Sequence, residues 1–181
     1  MAGSKREEGD GNGDQTSPGN RGNGQGRVLA QDAYGLSKIA IEELGQGYAR
    51  RDPGASIVCL RFSYILPPQD YAAELRLAWA DPERNSFNLW AYVDARDVAL
   101  SCRLALECPQ TGYDVFYVAA PDTLMREPTL ELVDRCFPGV ERVAEGFGGR
   151  ASPLDCSHAG QVLGFRAQYT WEMVVRPEEL A

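Results

Sequence analysis

The fold is decided by the stretch from residue 32 to residue 62, which reads DAYGLSKIAIEELGQGYARRDPGASIVCLRF. Residues 32–51 are predicted to form a helix, because four apolar side chains recur every fourth position and make one stripe. These side chains are Leu36, Ala40, Leu44 and Tyr48. Pro53-Gly54 ends the helix, and the β-branched run over residues 56–62 predicts a buried strand. The stretch is therefore a helix followed by a strand.

Helices and strands continue to alternate downstream of this unit. The helical segments are predicted over residues 71–80, 94–107, 127–137 and 157–163. The strands are predicted over residues 89–93, 113–119 and 140–144. Regular alternation of this kind is typical of the α/β class with at least partly parallel strand pairing.

The amino-terminal segment has a different composition. Residues 1–27 contain no Val, Ile, Leu, Phe, Tyr or Trp, and they are rich in glycine. Such a segment buries too little apolar surface to offset the entropy of ordering it, so a disordered tail is predicted. Residues 28–181 are predicted to form the folded domain.

Charge and cysteine content exclude several classes of function. The net charge is −8, and Arg50-Arg51 is the single adjacent basic pair of the predicted domain, which argues against nucleic-acid binding. No apolar run is long enough to cross a membrane. Five cysteines without a C-x-x-C pair or a signal peptide predict reduced thiols and a cytoplasmic protein. The single histidine, His158, excludes a His-rich metal site and is predicted to lie at the surface.

Tyr34 and Lys38 are the candidate chemical residues of the first helix. Positions i and i+4 share one face of a helix, so the phenol and the ammonium point the same way. A fixed positive charge beside a phenol favours the phenolate, which suits proton transfer to or from a sugar hydroxyl. The alternative is a surface tyrosine and a solvated lysine at a chance spacing.

Several segments follow this pair in a fixed order. They are the strand at 57–63, WAYVDARDVA at 90–99, VFYVAAPD at 115–122 and LDCSHA at 154–159 with Leu163-Gly164-Phe165 after it. Together with the Tyr34–Lys38 pair they resemble the extended short-chain dehydrogenase/reductases, the NAD-dependent epimerase/dehydratase family. The resemblance covers about residues 31–172. It implies a partial Rossmann-like doubly wound sheet with a small substrate-binding lobe.

The resemblance also implies roles for individual residues. Tyr34 matches the family's acid/base, and Lys38 matches the residue that assists it and holds the nicotinamide ribose. Three residues match the segment that passes the nicotinamide: Phe62, Ser63 and Pro67. Tyr64 stands where many members have a substrate-contacting asparagine, which leaves the sugar specificity open. Two arginines are candidates for a ligand phosphate: Arg84 and Arg96.

Asp94 and Asp97 match a further family segment. Their alternative role is purely structural, because an acid at the amino-terminal cap of a helix and another three residues later both stabilise the helix start. The sequence alone favours this structural role.

The family's cofactor motif, a strand followed by G-x-x-G-x-x-G, has no counterpart in this sequence. The glycine-rich run over residues 19–26 lacks an apolar strand before it and is interpreted as a linker. The resemblance implies NAD or NADP as cofactor and a nucleotide sugar or related polyol as substrate. We expect a carboxyl-terminal half that neither binds the cofactor nor turns over substrate alone.

Two functions remain open. The chain is either part of an NAD(P)-dependent epimerase/dehydratase or a non-catalytic remnant or interaction module of the same fold. Without earlier strands, four apolar residues would face water or a second subunit: Leu36, Leu44, Ile57 and Leu60. Self-association through the helix that carries Tyr34 and Lys38 is therefore expected.

Overall fold

A computed structural model describes residues 32–140, 147–176 and 178 of this chain. In chain order its elements are α1 (Ala33–Arg51), β1 (Ser56–Phe62), β2 (Tyr64–Leu66), a 3-10 turn (Pro68–Asp70), α2 (Tyr71–Ala80), a second 3-10 turn (Ser86–Asn88), β3 (Tyr92–Asp94), α3 (Ala95–Glu107), β4 (Gly112–Val118), α4 (Thr129–Cys136), α5 (Ser157–Val162) and α6 (Trp171–Val174). The predicted tail and nearly all of the strand predicted over residues 140–144 lie outside the described residues.

Both strand pairs of the described residues are parallel. Strand β1 pairs with β4, with Ser56 opposite Gly112 and Phe62 opposite Val118. Strand β2 pairs with β3 in a shorter ladder that begins at Tyr64. Parallel pairing requires a crossover between the strands, and helices supply it here. The mixed α/β class with parallel pairing is thus confirmed.

Helices cover both faces of the β1–β4 pair. Helix α1 packs on one face, where Gly45 lies against Ile57 and Tyr113. On the other face, Val58 and Leu60 pack against a cluster of buried residues from α5 and the strands. That cluster contains Val93, Phe116, Val118, Ala159, Leu163 and Phe165. Coverage on both faces is what a doubly wound sheet requires.

Two further clusters hold the short ladder and the carboxyl-terminal segment together. One joins α2 to α6, with Tyr71 and Trp171 among its buried members. The other surrounds Trp90 and Met125. Trp79 and Trp171 meet edge to face with ring centres 5.5 Å apart. The three tryptophans are packing residues of these two clusters.

The strand predicted over residues 89–93 is wrong at its start. Leu89 and Trp90 both adopt left-handed backbone conformations, with φ of 57° and 56°. Their turn is held by Asn88, whose side-chain oxygen accepts from the Trp90 N–H at 3.1 Å. Extended structure begins only at Tyr92. The apolar composition of this segment reflects burial in a turn, and burial alone does not distinguish a turn from a strand.

Three other features were not predicted. Strand β2 and helix α6, each no longer than four residues, were not among the predicted elements. His158 is half-buried rather than a surface residue, because its Nε2 lies 2.9 and 3.0 Å from the carboxylate oxygens of Asp114. Its ring also stacks on Phe116, with ring centres 4.8 Å apart.

Helix α1 leaves an apolar face uncovered. No residue of this helix is buried, and its sheet-facing side is lined by half-buried positions such as Ile39 and Glu42. The opposite side, here called the outer stripe, consists of Leu36, Ala40, Ile41, Leu44 and Tyr48. All five are exposed, and Leu44 has 63% of its surface open. Leu36 and Leu44 face solvent as expected, whereas Ile57 and Leu60 are half-buried.

One edge of β1 is also open among the described residues. The Ser63 N–H donates to the Val118 carbonyl and the Gly112 N–H to the Ala55 carbonyl, so odd-numbered residues of this segment bond to β4. In a parallel ladder, alternate residues direct their backbone groups to opposite edges. Val58 and Leu60 therefore point their amide and carbonyl groups to an outer edge that no described strand pairs with.

Candidate active site

The site begins where β1 and β4 end side by side. Phe62 and Val118 are opposite each other at the ends of the two strands. Ser63 follows directly, and both its N–H (3.1 Å) and its hydroxyl (3.3 Å) donate to the Val118 carbonyl. In open parallel sheets, ligands bind outside the carboxyl ends of the strands. This edge is therefore the expected place for a ligand.

Helix α1 is started by a local cap that fixes its first turn. The Asp32 Oδ1 accepts from the Gly35 N–H at 2.6 Å, which satisfies one of the free amides of the helix start. Tyr34 and Lys38 lie one turn apart on the same side of this helix. The Lys38 Nζ is 5.1 Å from the centre of the Tyr34 ring. Both residues are exposed, Tyr34 by 72%, so neither is committed to the protein core.

An ion pair joins α1 to the sheet. The Arg61 guanidinium donates through Nε and Nη2 to both carboxylate oxygens of Glu42, at 2.8 and 2.7 Å. The side chains are only 17% and 20% exposed. Arg61 also donates from Nη1 to the Tyr117 hydroxyl at 3.0 Å, so β4, β1 and α1 are joined in one line.

The same contacts give the direction of the helix. Glu42 lies opposite Arg61 and Gly45 opposite Ile57, so α1 runs antiparallel to β1. Tyr34 is two turns before Glu42, which places it about 12 Å further along the helix axis. Tyr34 and Lys38 therefore project at the carboxyl edge of β1.

The predicted cofactor-contacting residues occupy this edge too. Phe62 is 37% exposed at the end of β1, and Ser63 is half-buried beside it. Pro67 is half-buried and precedes the first 3-10 turn. Their roles toward a cofactor stay predictions.

Tyr64 and Arg84 lie close enough for the arginine charge to affect the pKa of the tyrosine phenol. Partial burial raises the pKa of the Tyr64 phenol, and so does Glu74, to which the phenol is hydrogen-bonded. Arg84 acts in the opposite direction on the same group. Arg84 thus lies near enough to Tyr64 to act on the charge of its phenol, and Glu74 lies beside the same phenol. Glu74 gave no signal in the sequence, because a carboxylate in the first turn of a helix is ordinary.

Arg96 is already engaged within the protein. Its Nε and Nη2 donate to the two oxygens of Asp94, each at 2.8 Å. Its guanidinium also lies 3.5 Å from the centre of the Tyr169 ring. A phosphate-binding role for Arg96 stays a prediction, and these contacts favour a structural role. Arg84 is exposed and is the better placed of the two.

Asp94 and Asp97 are both buried, but they do different work. Asp94 caps α3 by accepting from the Arg96 N–H at 2.8 Å, as its position indicated. Asp97 accepts from the backbone N–H groups of Gln168 and Tyr169, at 3.0 to 3.1 Å. It therefore anchors the carboxyl-terminal segment to α3. Sequence spacing gives no sign of that second role, since the partners lie more than 70 residues away.

Other chemistries find no support in the part of the chain that the structure describes. No group of three or more His, Cys, Asp or Glu side chains is arranged to hold a metal ion among residues 32–140, 147–176 and 178. Within the same ranges, no helix has both the length and the apolarity to traverse a membrane.

Comparisons with known proteins give a likeness in structure and none in sequence. The sequence matches no protein-family model and no curated protein. The crystal structure of UDP-N-acetylglucosamine 4-epimerase from Bacillus cereus matches with a TM-score of 0.52 and 22% identity, over 84% of this chain and 53% of that one. The structure of RMD from Pseudomonas aeruginosa, complexed with NADPH, matches with a TM-score of 0.49 and 19% identity, over 78% and 52%.

The chain therefore spans about half the length of the solved structures it matches. The likeness to the Bacillus cereus epimerase shows that most of this chain shares that protein's α/β fold. The predicted Rossmann-like fold class is thereby confirmed. At this level of identity the likeness concerns the fold, and residue roles must be argued from the site itself.

Proposed function

We propose that this chain contributes the acid/base pair and part of the substrate site of an NAD(P)-dependent epimerase/dehydratase that acts on a nucleotide sugar or related polyol. One observation carries the proposal. Tyr34 and Lys38 stand side by side and exposed at the carboxyl edge of parallel strands, with the ammonium 5.1 Å from the ring centre. The fold shared with a nucleotide-sugar epimerase supports it.

In this proposal the Tyr34 phenol holds and moves the proton. Its oxygen takes a proton from a sugar hydroxyl as the carbon beneath is oxidised, and it returns the proton on reduction. The Lys38 ammonium favours the phenolate electrostatically during that transfer. The chemistry that a nicotinamide supplies when bound is the reversible acceptance of hydride.

The described residues fit the nicotinamide end of such a cofactor. Lys38 would donate a hydrogen bond to the ribose. Phe62 and Ser63 would lie beside the nicotinamide ring at the end of β1. No strand followed by G-x-x-G-x-x-G occurs in the sequence, so residues from outside it must hold the pyrophosphate. We therefore propose that the chain alone binds NAD or NADP weakly and turns over little substrate.

The substrate would extend toward the loop after β1. Tyr64 and Arg84 share an electrostatic neighbourhood there, and Arg84 is exposed. An exposed guanidinium offers paired donors to a phosphate, and a phenol offers a hydroxyl to a sugar. These two groups support a phosphorylated or nucleotide-linked sugar as the substrate class.

We also propose that two copies associate through the outer stripe of α1. Across a two-fold axis the helices would run antiparallel, with Leu36 opposite Tyr48 and Ala40 opposite Leu44. The small Ala40 would then face the larger Leu44, and Leu36 would pack against the Tyr48 ring.

The second candidate function is a non-catalytic interaction module of the same fold. The observation that favours it is the combination of an exposed outer stripe on α1 and an open edge on β1. Surfaces of both kinds recruit partner chains. In that case Tyr34 and Lys38 are ordinary exposed residues, and their removal changes no chemistry.

The test uses the chain mixed with an amino-terminal half from such an enzyme, and it measures dinucleotide binding by calorimetry and product formation with a panel of nucleotide sugars. Tyr34→Phe should lower turnover by about 100-fold to 10,000-fold, because it removes the proton-transferring hydroxyl but leaves the ring. Its effect on dinucleotide affinity should be small. The matched control is Tyr48→Phe, which removes a hydroxyl from another exposed tyrosine of α1, keeps its ring in the outer stripe, and should leave turnover and dinucleotide affinity unchanged.

Lys38→Met should weaken both turnover and dinucleotide affinity, because Lys38 serves both. Turnover that survives Tyr34→Phe would contradict the catalytic proposal. A chain that shows neither turnover nor dinucleotide binding, even as a mixture with an amino-terminal half from such an enzyme, would support the interaction module instead.

A further inference from the structure

The helix that carries the candidate acid/base pair packs on the sheet without fully burying any of its residues. Helix α1 has no buried residue, so hydrophobic burial does little to fix its rotation or its height above β1. Its closest apolar approach is at Gly45, where α1 lies against Ile57 and Tyr113. That contact is about three turns from Tyr34. A polar restraint nearer to the site would fix the end of the helix that carries Tyr34.

The Glu42–Arg61 ion pair is that restraint. It is bidentate, with both hydrogen bonds under 3 Å, and both side chains are at least four-fifths buried. A fork of this kind fixes direction as well as distance, since two parallel bonds admit one orientation of the carboxylate. Glu42 stands one turn after Lys38 and two turns after Tyr34, on the flank of α1 that turns toward the sheet.

Arg61 is itself restrained from the other side. Its Nη1 donates to the Tyr117 hydroxyl at 3.0 Å, and its guanidinium lies 5.3 Å from the centre of the Tyr117 ring. Tyr117 belongs to β4, whose ladder with β1 is the longest in the described residues. The Tyr117 contacts therefore restrain the Arg61 guanidinium relative to the sheet. The guanidinium in turn restrains Glu42, and with it the helix.

We propose that Glu42 and Arg61 are positioning residues that place the Tyr34–Lys38 pair over the carboxyl edge of β1. In this proposal they contact neither substrate nor cofactor. They act by fixing where α1 lies on the sheet. This inference rests on the proposed function for its chemical meaning. Its geometric content, that the ion pair sets the place of the amino-terminal end of α1, stands apart from any reaction.

The geometric content is tested by electron–electron distance spectroscopy. Spin labels carried on unnatural amino acids at positions 37 and 69, both exposed, report the distance from α1 to the turn after β2 without using the native cysteines. The wild-type chain should give one narrow distance distribution. Glu42→Gln and Arg61→Gln should each broaden or shift it, while Tyr34→Phe leaves it unchanged.

Two further variants make the result decisive. Arg61→Lys keeps the charge but loses the planar fork, so it should give an intermediate broadening even if a glutamine variant fails to fold. Arg103→Gln removes an exposed ion pair on α3 and should have no effect on the distance. An unchanged distance distribution in folded Glu42→Gln and Arg61→Lys would overturn the proposal.

A kinetic readout separates positioning from general stability in any preparation that turns over. Misplacement of an acid/base group should lower kcat by about 10-fold to 100-fold. KM for the sugar should stay within about two-fold, since Tyr64 and Arg84 are not carried by α1. Equal loss in kcat and rise in KM, or no change in either, would overturn the positioning role. If no preparation turns over substrate, the proposed function fails. The distance measurement then still tests whether the ion pair fixes the position of α1 on the sheet.

Discussion

Asp94 joins three elements through one carboxylate with no exposed surface. It caps α3, receives two bonds from the Arg96 guanidinium and accepts from the Tyr71 hydroxyl of α2 at 3.1 Å. Burial raises the pKa of this carboxyl, but the hydrogen bonds from Arg96 and Tyr71 outweigh burial and hold it below its usual range. The ionised form is therefore the one that the native structure stabilises.

Asp94→Asn should lower the free energy of unfolding by about 2 kcal/mol at neutral pH, because it leaves a guanidinium and a phenol with a poorer acceptor. The pKa of Asp94 is lower in the folded than in the unfolded chain. Its contribution is thus present above about pH 4 and is lost as the pH falls through the folded pKa. Urea unfolding at several pH values should show the two curves converging in acid. A difference that stays constant down to pH 2 would contradict this assignment.

Single residues also show what local sequence can reveal. The capping role of Asp94 was predictable, because a cap depends on the few residues beside it. The role of Asp97 was not, since it binds amides of Gln168 and Tyr169 far along the chain. The contact of His158 with Asp114 was unpredictable for the same reason, because Asp114 belongs to another element. Contacts of this kind are decided by the tertiary fold.

Helix α1 contains two glycines in different surroundings. A methyl group at Gly45 would lie 3.1 Å from Ile57 Cγ2 and 3.2 Å from Tyr113 Cε2. At Gly47 the nearest atom is the end of the Arg50 side chain, at 3.8 Å. Gly45 is therefore needed for the close approach of helix and sheet, whereas Gly47 is free to change.

Gly47→Ala should raise the free energy of unfolding by about 0.5–1 kcal/mol, because alanine loses less backbone entropy in a helix. Gly45→Ala should lower it by about 1 kcal/mol, since the new methyl group pushes α1 off the sheet. Thermal and urea unfolding of the two variants give the comparison directly. Equal stabilisation by both would mean that α1 does not pack as closely as described.

The predictability of the elements follows from their length and period. Helix α1 and strands β1 and β4 were predictable, because apolar side chains recur with a clear period or run through seven residues. Strand β2 has only three residues and no room for a period. The segment at Leu89-Trp90 is apolar but left-handed, and its conformation depends on bonds to Asn85 and Asn88. Of the candidate site, the sequence predicted Tyr34 and Lys38 on one helix face, but not Glu74.

Helix α1 carries a run of exposed apolar residues along one side. Leu36, Ile41, Leu44 and Tyr48 are each more than half exposed along one side of that helix. Isolated exposed residues such as Leu106 are common on protein surfaces, but a continuous stripe marks a binding surface. The outer stripe is therefore the surface through which we propose that two copies of the chain associate in solution.

Leu44→Glu should raise the dissociation constant of the dimer at least tenfold, because it introduces a charge at the centre of the outer stripe. A tenfold change corresponds to about 1.4 kcal/mol. Leu106→Glu is the matched control, since Leu106 is 88% exposed on α3 and away from the stripe. Sedimentation over a range of concentrations gives both constants. An unaltered dissociation constant in Leu44→Glu would exclude the stripe as the contact surface.

The unpaired outer edge of β1 has a consequence for any heating experiment on this chain. Backbone amides and carbonyls at Val58 and Leu60 point to an edge that no described strand pairs with, and strands from partly opened neighbours can add to such an edge. Association with another chain would then compete with refolding. The measured melting temperature would then depend on the scan rate and on the protein concentration. It would report the rate at which folded protein is lost to association and not an unfolding equilibrium. Reversibility has to be demonstrated before such midpoints are compared.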